Sequence, residues 1–99
     1  ALSSNTTASE NVGVGHGSLG DNTTGGNNTA IGSFSLRNNT TANNNTAVGF
    51  CALKSNTTGT NNIAIGSETL KLNTTADGNV AIGNLAMDAN TTQLLVGVH

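Results

Sequence analysis

The segment Asn28-Thr29-Ala30-Ile31-Gly32 decides the fold of this chain, because close variants of it return at a constant interval. The five copies begin at Asn11, Asn28, Asn45, Asn62 and Asn79. An Asn-Thr-Thr tripeptide keeps the same interval of 17 residues, from Asn5 through to Asn90. No insertion or deletion interrupts either series, so we interpret the 17-residue repeat as the structural unit of the chain.

The composition excludes a conventional core of large apolar side chains. Of the 99 residues, 17 are Asn, 16 are Thr and 13 are Gly, whereas only 2% are aromatic. Charged residues make up 8% of the chain, compared with about 25% in an ordinary globular domain. Since the net charge is −2 and only three residues are basic, we expect no nucleic-acid binding. The sequence has no long apolar run, so we also expect no membrane insertion of this segment.

Each repeat predicts short β-strands joined by turns. Gly, Asn and Thr are poor helix formers, while Asn and Gly tolerate the left-handed backbone angles of turns. We therefore predict two short strands per repeat, one near the Ala-Ile-Gly segment and one near the Leu or the Thr pair. A unit of this size cannot enclose its own core, so the units are predicted to stack as coils of a parallel β-solenoid, about 4.8 Å apart.

Stacking turns each repeat position into a column of equivalent side chains. Two apolar columns are predicted to fill the interior: Val14, Ile31, Val48, Ile65 and Ile82, and Leu19, Leu36, Leu53 and Leu70. The Ala or Gly that precedes each Ile or Val points to the opposite face of the strand and is predicted to meet another chain. The Asn columns, including Asn11, Asn28, Asn45, Asn62 and Asn79, are predicted to form hydrogen-bonded ladders. Two large apolar side chains per coil are few for a lone chain, so we expect association of chains.

The repeats resemble the head repeats of trimeric autotransporter adhesins of the YadA type, on residues 28–35 and the counterparts that start at Asn45, Asn62 and Asn79. They are also similar to 17-residue repeats of phage and large-DNA-virus fibre proteins, which share the Asn-Thr-Thr-Gly segment of residues 22–25 and 56–59. The resemblance implies a left-handed parallel β-roll, with three chains forming a homotrimeric rod. Residues 1–99 are then expected to be one repeat domain of about six coils, a segment of a longer fibre.

The function that the resemblance implies is structural support of host attachment. Because adhesin head units are typically shorter, the repeat length favours a viral or phage tail fibre on the virion surface. The alternative is the head of a bacterial trimeric autotransporter adhesin, exposed on the cell surface. A hypothesis from a different class is an ice-binding β-solenoid, for which the repeated Thr pairs supply candidate columns.

Five side chains are candidate contacts with a host glycan or protein receptor. Arg37, Lys54 and Lys71 share one column and predict a basic stripe, which could equally serve only to keep the edge soluble. Phe34 and Phe50 lie in neighbouring coils and predict either a sugar-stacking patch or packing between chains. His16 shares the column of Phe50, and is expected to be exposed or at an interface.

No catalytic or metal-binding pattern accompanies the repeat. The five acidic residues fall in five different columns, so the repeat does not pair carboxylates or form a Ca²⁺-binding Asp column. We therefore expect no enzyme activity and no cofactor.

Nine asparagines match the Asn-X-Thr pattern of N-glycosylation. Six begin the Asn-Thr-Thr tripeptides, and the others are Asn27, Asn38 and Asn44. The turn chemistry of the repeat already explains their presence, so the pattern leaves open whether any of them carries a sugar.

Overall fold

One strand per repeat builds a single parallel sheet in the computed structural model, which describes residues 10–86 and the backbone of residues 96–98. The strands are β1 (Val12–Val14), β2 (Thr29–Ile31), β3 (Thr46–Val48), β4 (Ile63–Ile65), β5 (Val80–Ile82) and β6 (Val96–Val98). Their spatial order is their chain order, and the described residues contain no helix. From β1 to β5 each residue pairs with the one 17 positions later, whereas Ala81 pairs with Gly97, 16 positions later. The predicted all-β parallel solenoid is confirmed.

The prediction of a second strand in each repeat is wrong within the described residues. The leucines of the supposed strand have positive φ angles between 49° and 53° and therefore form turns. Hydrogen bonding between coils continues through these turns, as in the 3.0 Å bond from the backbone N–H of Leu36 to the carbonyl of Ala52. A left-handed conformation costs a bulky residue about 1–2 kcal/mol. Complete burial of each of these leucine side chains offsets that cost.

The two faces of the strand are reversed relative to the prediction. The central alanines Ala30, Ala47, Ala64 and Ala81 are fully buried and pack with the buried leucine column. The predicted interior residues Val14, Ile31, Val48, Ile65 and Ile82 instead point outward and are exposed or half-buried. The reason is the thin interior of a 17-residue coil, where leucine and asparagine side chains already fill the space and only a methyl group fits beneath the strand.

Buried asparagines form the other half of the interior. Asn22, Asn39, Asn56 and Asn73 stack as a side-chain ladder in which the Nδ2 of each of the last three donates to the Oδ1 of the Asn in the preceding coil, at 3.0 Å. The column that includes Asn45 works differently: its Nδ2 donates to the Gly59 carbonyl at 2.8 Å, and its Oδ1 accepts the backbone N–H of Asn62 at 3.0 Å. Among the described residues, no buried side-chain polar atom lacks a hydrogen-bond partner.

Each corner carbonyl between the two asparagine columns accepts two amide hydrogen bonds. The Gly59 carbonyl accepts from Asn45 at 2.8 Å and from Asn56 at 2.9 Å. The Ala42 carbonyl accepts from Asn28 at 2.9 Å and from Asn39 at 3.1 Å. The buried amides thus satisfy the backbone at the corner, where a chain without side-chain donors would leave carbonyl groups unpaired.

Glycine after each strand lets adjacent coils approach closely. Gly32 and Gly49 have φ angles of 128° and 133°, which other residues rarely adopt. A Cβ atom at Gly32 would lie 2.6 Å from the Gly49 carbonyl oxygen. The same contact recurs one coil later between Gly49 and Gly66, at 2.5 Å.

The corner after Asn-Thr-Thr alternates between two structures, so that coils associate in pairs. The backbone N–H groups of Thr57, Thr58 and Gly59 all donate to the Thr74 carbonyl, at 3.0 to 3.2 Å. Residues 23–25 make the same three bonds to Thr40. The glycine of the first coil in each pair faces an alanine in the second, Gly25 with Ala42 and Gly59 with Ala76. This arrangement has a period of two coils, or 34 residues.

We predict that Gly59→Ala is more destabilising than Ala42→Gly, although the two positions share one column. A Cβ at Gly59 would lie 2.5 Å from Asn56 Oδ1 and even closer to the Ala76 carbonyl oxygen. We expect a loss of about 2–3 kcal/mol for Gly59→Ala, as in overpacked cores, and about 1 kcal/mol for Ala42→Gly. Chemical denaturation measures both, and equal losses would show that the two corners are equivalent.

We also predict that Asn56→Leu destabilises the fold by about 3 kcal/mol despite its similar size. It removes donors to Asn39 Oδ1 and to the Gly59 carbonyl, and the acceptor for Asn73 Nδ2. Buried polar groups that lose a partner cost about 1–3 kcal/mol each. The control is Thr58→Ala, at an exposed position of the same tripeptide, which should change the free energy of unfolding by less than about 0.5 kcal/mol.

Candidate functional site

The outer surface of the sheet is a continuous apolar face, which we call the strand face. It consists of the first and third residues of β1 to β5, namely Val12, Val14, Thr29, Ile31, Thr46, Val48, Ile63, Ile65, Val80 and Ile82. Exposure reaches 54% for Val14, 41% for Ile31 and 40% for Ile82. Parallel sheets are normally covered on both faces, and here the single chain covers only one. An apolar surface of this continuity marks an interaction site.

Backbone geometry gives the strand face its regularity. The paired strands stack Ile31 on Val48 and Ile63 on Val80. The glycine that follows each strand turns the chain sharply, so every strand ends after three residues. The face is therefore narrow across the strands and long in the stacking direction. About 4.8 Å separates one coil from the next in such a sheet.

A second surface feature is a group of rings, which we call the aromatic cluster and define as His16, Phe34 and Phe50. The His16 and Phe34 ring centroids lie 5.4 Å apart, and those of Phe34 and Phe50 lie 6.5 Å apart, both edge to face. The amino group of Lys54 lies 5.8 Å from the centre of the Phe34 ring. Such geometry favours aromatic packing and a weak cation–π attraction.

Glycine in the preceding coil makes room for this cluster. Phe34 lies against Gly17, and a Cβ at Gly17 would approach its ring carbon Cδ1 to 2.7 Å. Phe34 is half-buried as a result, whereas Phe50 remains 50% exposed. Three of the predicted contact residues, Phe34, Phe50 and Lys54, are thus brought together in one patch.

The other two predicted contact residues are held by acids. Arg37 forms an ion pair with Asp21 in the preceding coil, and Lys71 donates to Glu68 in its own coil at 2.9 Å. The three basic residues therefore have three different environments: two lie in ion pairs, and Lys54 lies over a ring. This pairing lowers the net positive charge of the column, so the surface is not a uniform basic stripe.

Exposed threonines form a single file along another edge. Thr24, Thr41, Thr58 and Thr75 are exposed, whereas the preceding Thr of each pair is half-buried. They lie in bends rather than in a strand. One described coil thus offers one exposed threonine of the tripeptide, which makes a line and not the two-dimensional array that an ice surface would match.

Other site chemistry is sparse in residues 10–86. Cys51 is a buried free thiol. No cluster of three His, Cys, Asp or Glu residues is suited to a metal ion there, and no pocket is found. The described part of the chain also has no helix long and apolar enough to cross a membrane.

Sequence reasoning missed the exposure of the strand face and the association of His16 with the phenylalanines. The first could have been suspected from the alanine column, because a position that stays small in coil after coil also fits a narrow interior. The second had no signal in a single repeat, since it depends on side chains from adjacent coils.

Comparison of the chain with protein-family models, curated proteins and solved structures gives no significant match.

We predict that the two phenylalanines contribute unequally to stability. Phe34→Ser removes contacts with Gly17, His16 and Lys54, and we expect a loss of about 1–2 kcal/mol. Phe50→Ser introduces the residue that Ser33 and Ser67 provide in the same column, and should cost less than about 0.5 kcal/mol. Urea denaturation of both variants tests this, and a Phe50→Ser loss equal to that of Phe34→Ser would contradict the difference in burial.

Proposed function

We propose that this chain is a structural segment of a homotrimeric fibre that supports attachment to a host cell. The observation that carries the proposal is the strand face, which a solitary chain leaves exposed to water. Covering it removes apolar surface from water at about 25 cal/mol per Å². Its exposed valines and isoleucines therefore favour association.

The occupant we assign to the strand face is a second copy of the same chain. Every coil presents equivalent outward side chains at one interval, so a parallel copy presents the same interval in the same direction. A partner of irregular sequence would match such a face only in places. Identical chains match it over its whole length, and the contact lengthens with every added coil.

Three copies are favoured by closure and by the resemblance of the repeats. Chains packed by a rotation that closes bury their contact surfaces and form no open aggregate. The YadA-type and viral fibre repeats that this sequence resembles imply a threefold, left-handed β-roll. In that arrangement three narrow strand faces meet near the axis, and the fully buried alanine column stays inside each chain.

The attachment role extends from the rod to its outer surface. We place the fibre on the virion, with the aromatic cluster and Lys54 as the candidate contact for a host glycan or protein. Rings that project from a rod can stack on sugar faces, and Phe50 has the exposure that this requires. The alternative assignment is the head of a bacterial trimeric adhesin, which uses the same rod. The proposal gives the chain no catalytic step and no cofactor.

Substitution of the strand face tests the assembly. At micromolar concentration we expect the chain to sediment as a trimer, at three times its 9.8 kDa mass. Ile31→Lys with Ile65→Lys should give monomers, because the two ammonium groups would be placed within the interface. Thr24→Lys with Thr58→Lys adds equal charge at exposed bends and should leave the trimer intact.

Analytical ultracentrifugation measures all three proteins. A native chain that is a folded monomer at these concentrations would remove the basis of the proposal. Dissociation of the Thr24 and Thr58 variant to the same extent would assign the effect to charge rather than to the strand face.

A further inference from the structure

The glycosylation motifs of this chain divide into two classes by burial. The asparagines of four Asn-Thr-Thr tripeptides are fully buried: Asn22, Asn39, Asn56 and Asn73. Two further motif asparagines, Asn27 and Asn44, are exposed. The motifs at Asn5 and Asn90 lie outside the described residues.

The buried motif asparagines have no amide hydrogen to spare. Asn56 Nδ2 donates to Asn39 Oδ1 at 3.0 Å and to the Gly59 carbonyl at 2.9 Å. Asn39 Nδ2 donates to Asn22 Oδ1 and to the Ala42 carbonyl, and Asn73 Nδ2 makes the same two bonds one coil further on. An amide nitrogen has two hydrogens, and both are used inside the core.

N-glycosylation is incompatible with this bonding. The transfer forms a bond between Asn Nδ2 and C1 of a sugar, breaks the bond from C1 to a lipid pyrophosphate, and releases that pyrophosphate and one amide proton. The product has one amide hydrogen fewer and carries a polar oligosaccharide. At Asn56 the sugar would occupy a site with no exposed surface, and one of the two core bonds would be lost.

Timing makes the unfolded chain the vulnerable state. The transferase acts on extended Asn-X-Thr segments of a chain that is still entering the secretory compartment. The tripeptides reach their buried positions only when neighbouring coils stack, because the hydrogen bonds of Asn56 reach Asn39 and Asn73, 17 residues away in each direction. Modification therefore precedes protection.

We propose that the Asn-Thr-Thr ladder restricts correct folding to compartments without N-glycosylation, and that Asn27 and Asn44 are the motif sites at which the fold tolerates a sugar. The inference is independent of the fibre proposal, since it concerns the interior of one chain. It assigns a cost to the eukaryotic secretory route that composition does not reveal.

The exposed threonines allow a test that leaves the core unchanged. The third residues of the buried motifs, Thr24, Thr41, Thr58 and Thr75, are all exposed. Replacing each with Ala abolishes the motif but keeps its asparagine. Asn38→Ser removes a half-buried motif with the residue found at the equivalent Ser55. Thr7→Ala and Thr92→Ala, which remove the motifs at Asn5 and Asn90, are placed in every protein compared.

The experiment is translation of the chain behind a cleavable secretory signal, with and without microsomes. Electrophoretic mobility counts the sugars, and limited proteolysis reports folding. Without microsomes, the parent and the five-residue variant should be equally protease-resistant. With microsomes, the parent should carry several sugars and lose its resistance, whereas the variant should carry sugars only at Asn27 and Asn44 and keep it.

A competing acceptor tripeptide provides a test that needs no variant. It should suppress glycosylation of the parent in microsomes and restore protease resistance. A parent that is glycosylated at Asn56 yet remains resistant would overturn the proposal. So would a parent that folds unmodified in microsomes, or resistance that stays lost when the acceptor peptide has removed the sugars.

Discussion

Paired amide donation to the corner carbonyls is the interaction on which the rest of the structure depends. Two asparagine columns meet at one backbone oxygen in each coil, as Asn45 and Asn56 do at the Gly59 carbonyl. Since each donor also bonds the neighbouring coil, the corner and the stack are stabilised by the same groups. A core that is half amide holds its polar atoms satisfied only while adjacent coils are in place. Order therefore extends along the stack.

The narrow interior accounts for the outer surface. Leucine and asparagine occupy the space beneath the strand, so the central strand position holds alanine and the larger Ile and Val lie outside. The apolar residues that would form the core of a wider coil become a surface for another chain. Stability and association are in this way two results of one cross-section. The aromatic cluster and its lysine lie apart from that surface, beside the turn that follows the strand.

Periodicity alone predicted the parallel solenoid, because a 17-residue interval without insertions leaves little other choice for such short units. Which face of the strand lies inside was not predictable by the same means. Alternation separates Ala30 from Ile31 but does not say which is buried, and the usual preference for burying the larger residue gave the wrong answer. The turn at Leu36 was missed because its positive φ is unusual for leucine. Of the candidate contacts, Phe34, Phe50 and Lys54 form one patch, and that grouping needed the stacking of coils to appear.

The alternation of glycine and alanine at the corner sets a rule for how such a chain can change its length. Gly25 and Gly59 open pairs that Ala42 and Ala76 close, so neighbouring coils are similar but not interchangeable. Deleting one coil would bring two corners of the same kind together, either two glycines without a methyl group between them or two alanines in conflict. Gain or loss of 34 residues preserves the alternation. Tandem duplication in the gene is thus expected to be tolerated in steps of two repeats, and the inherited unit is twice the length of the visible motif.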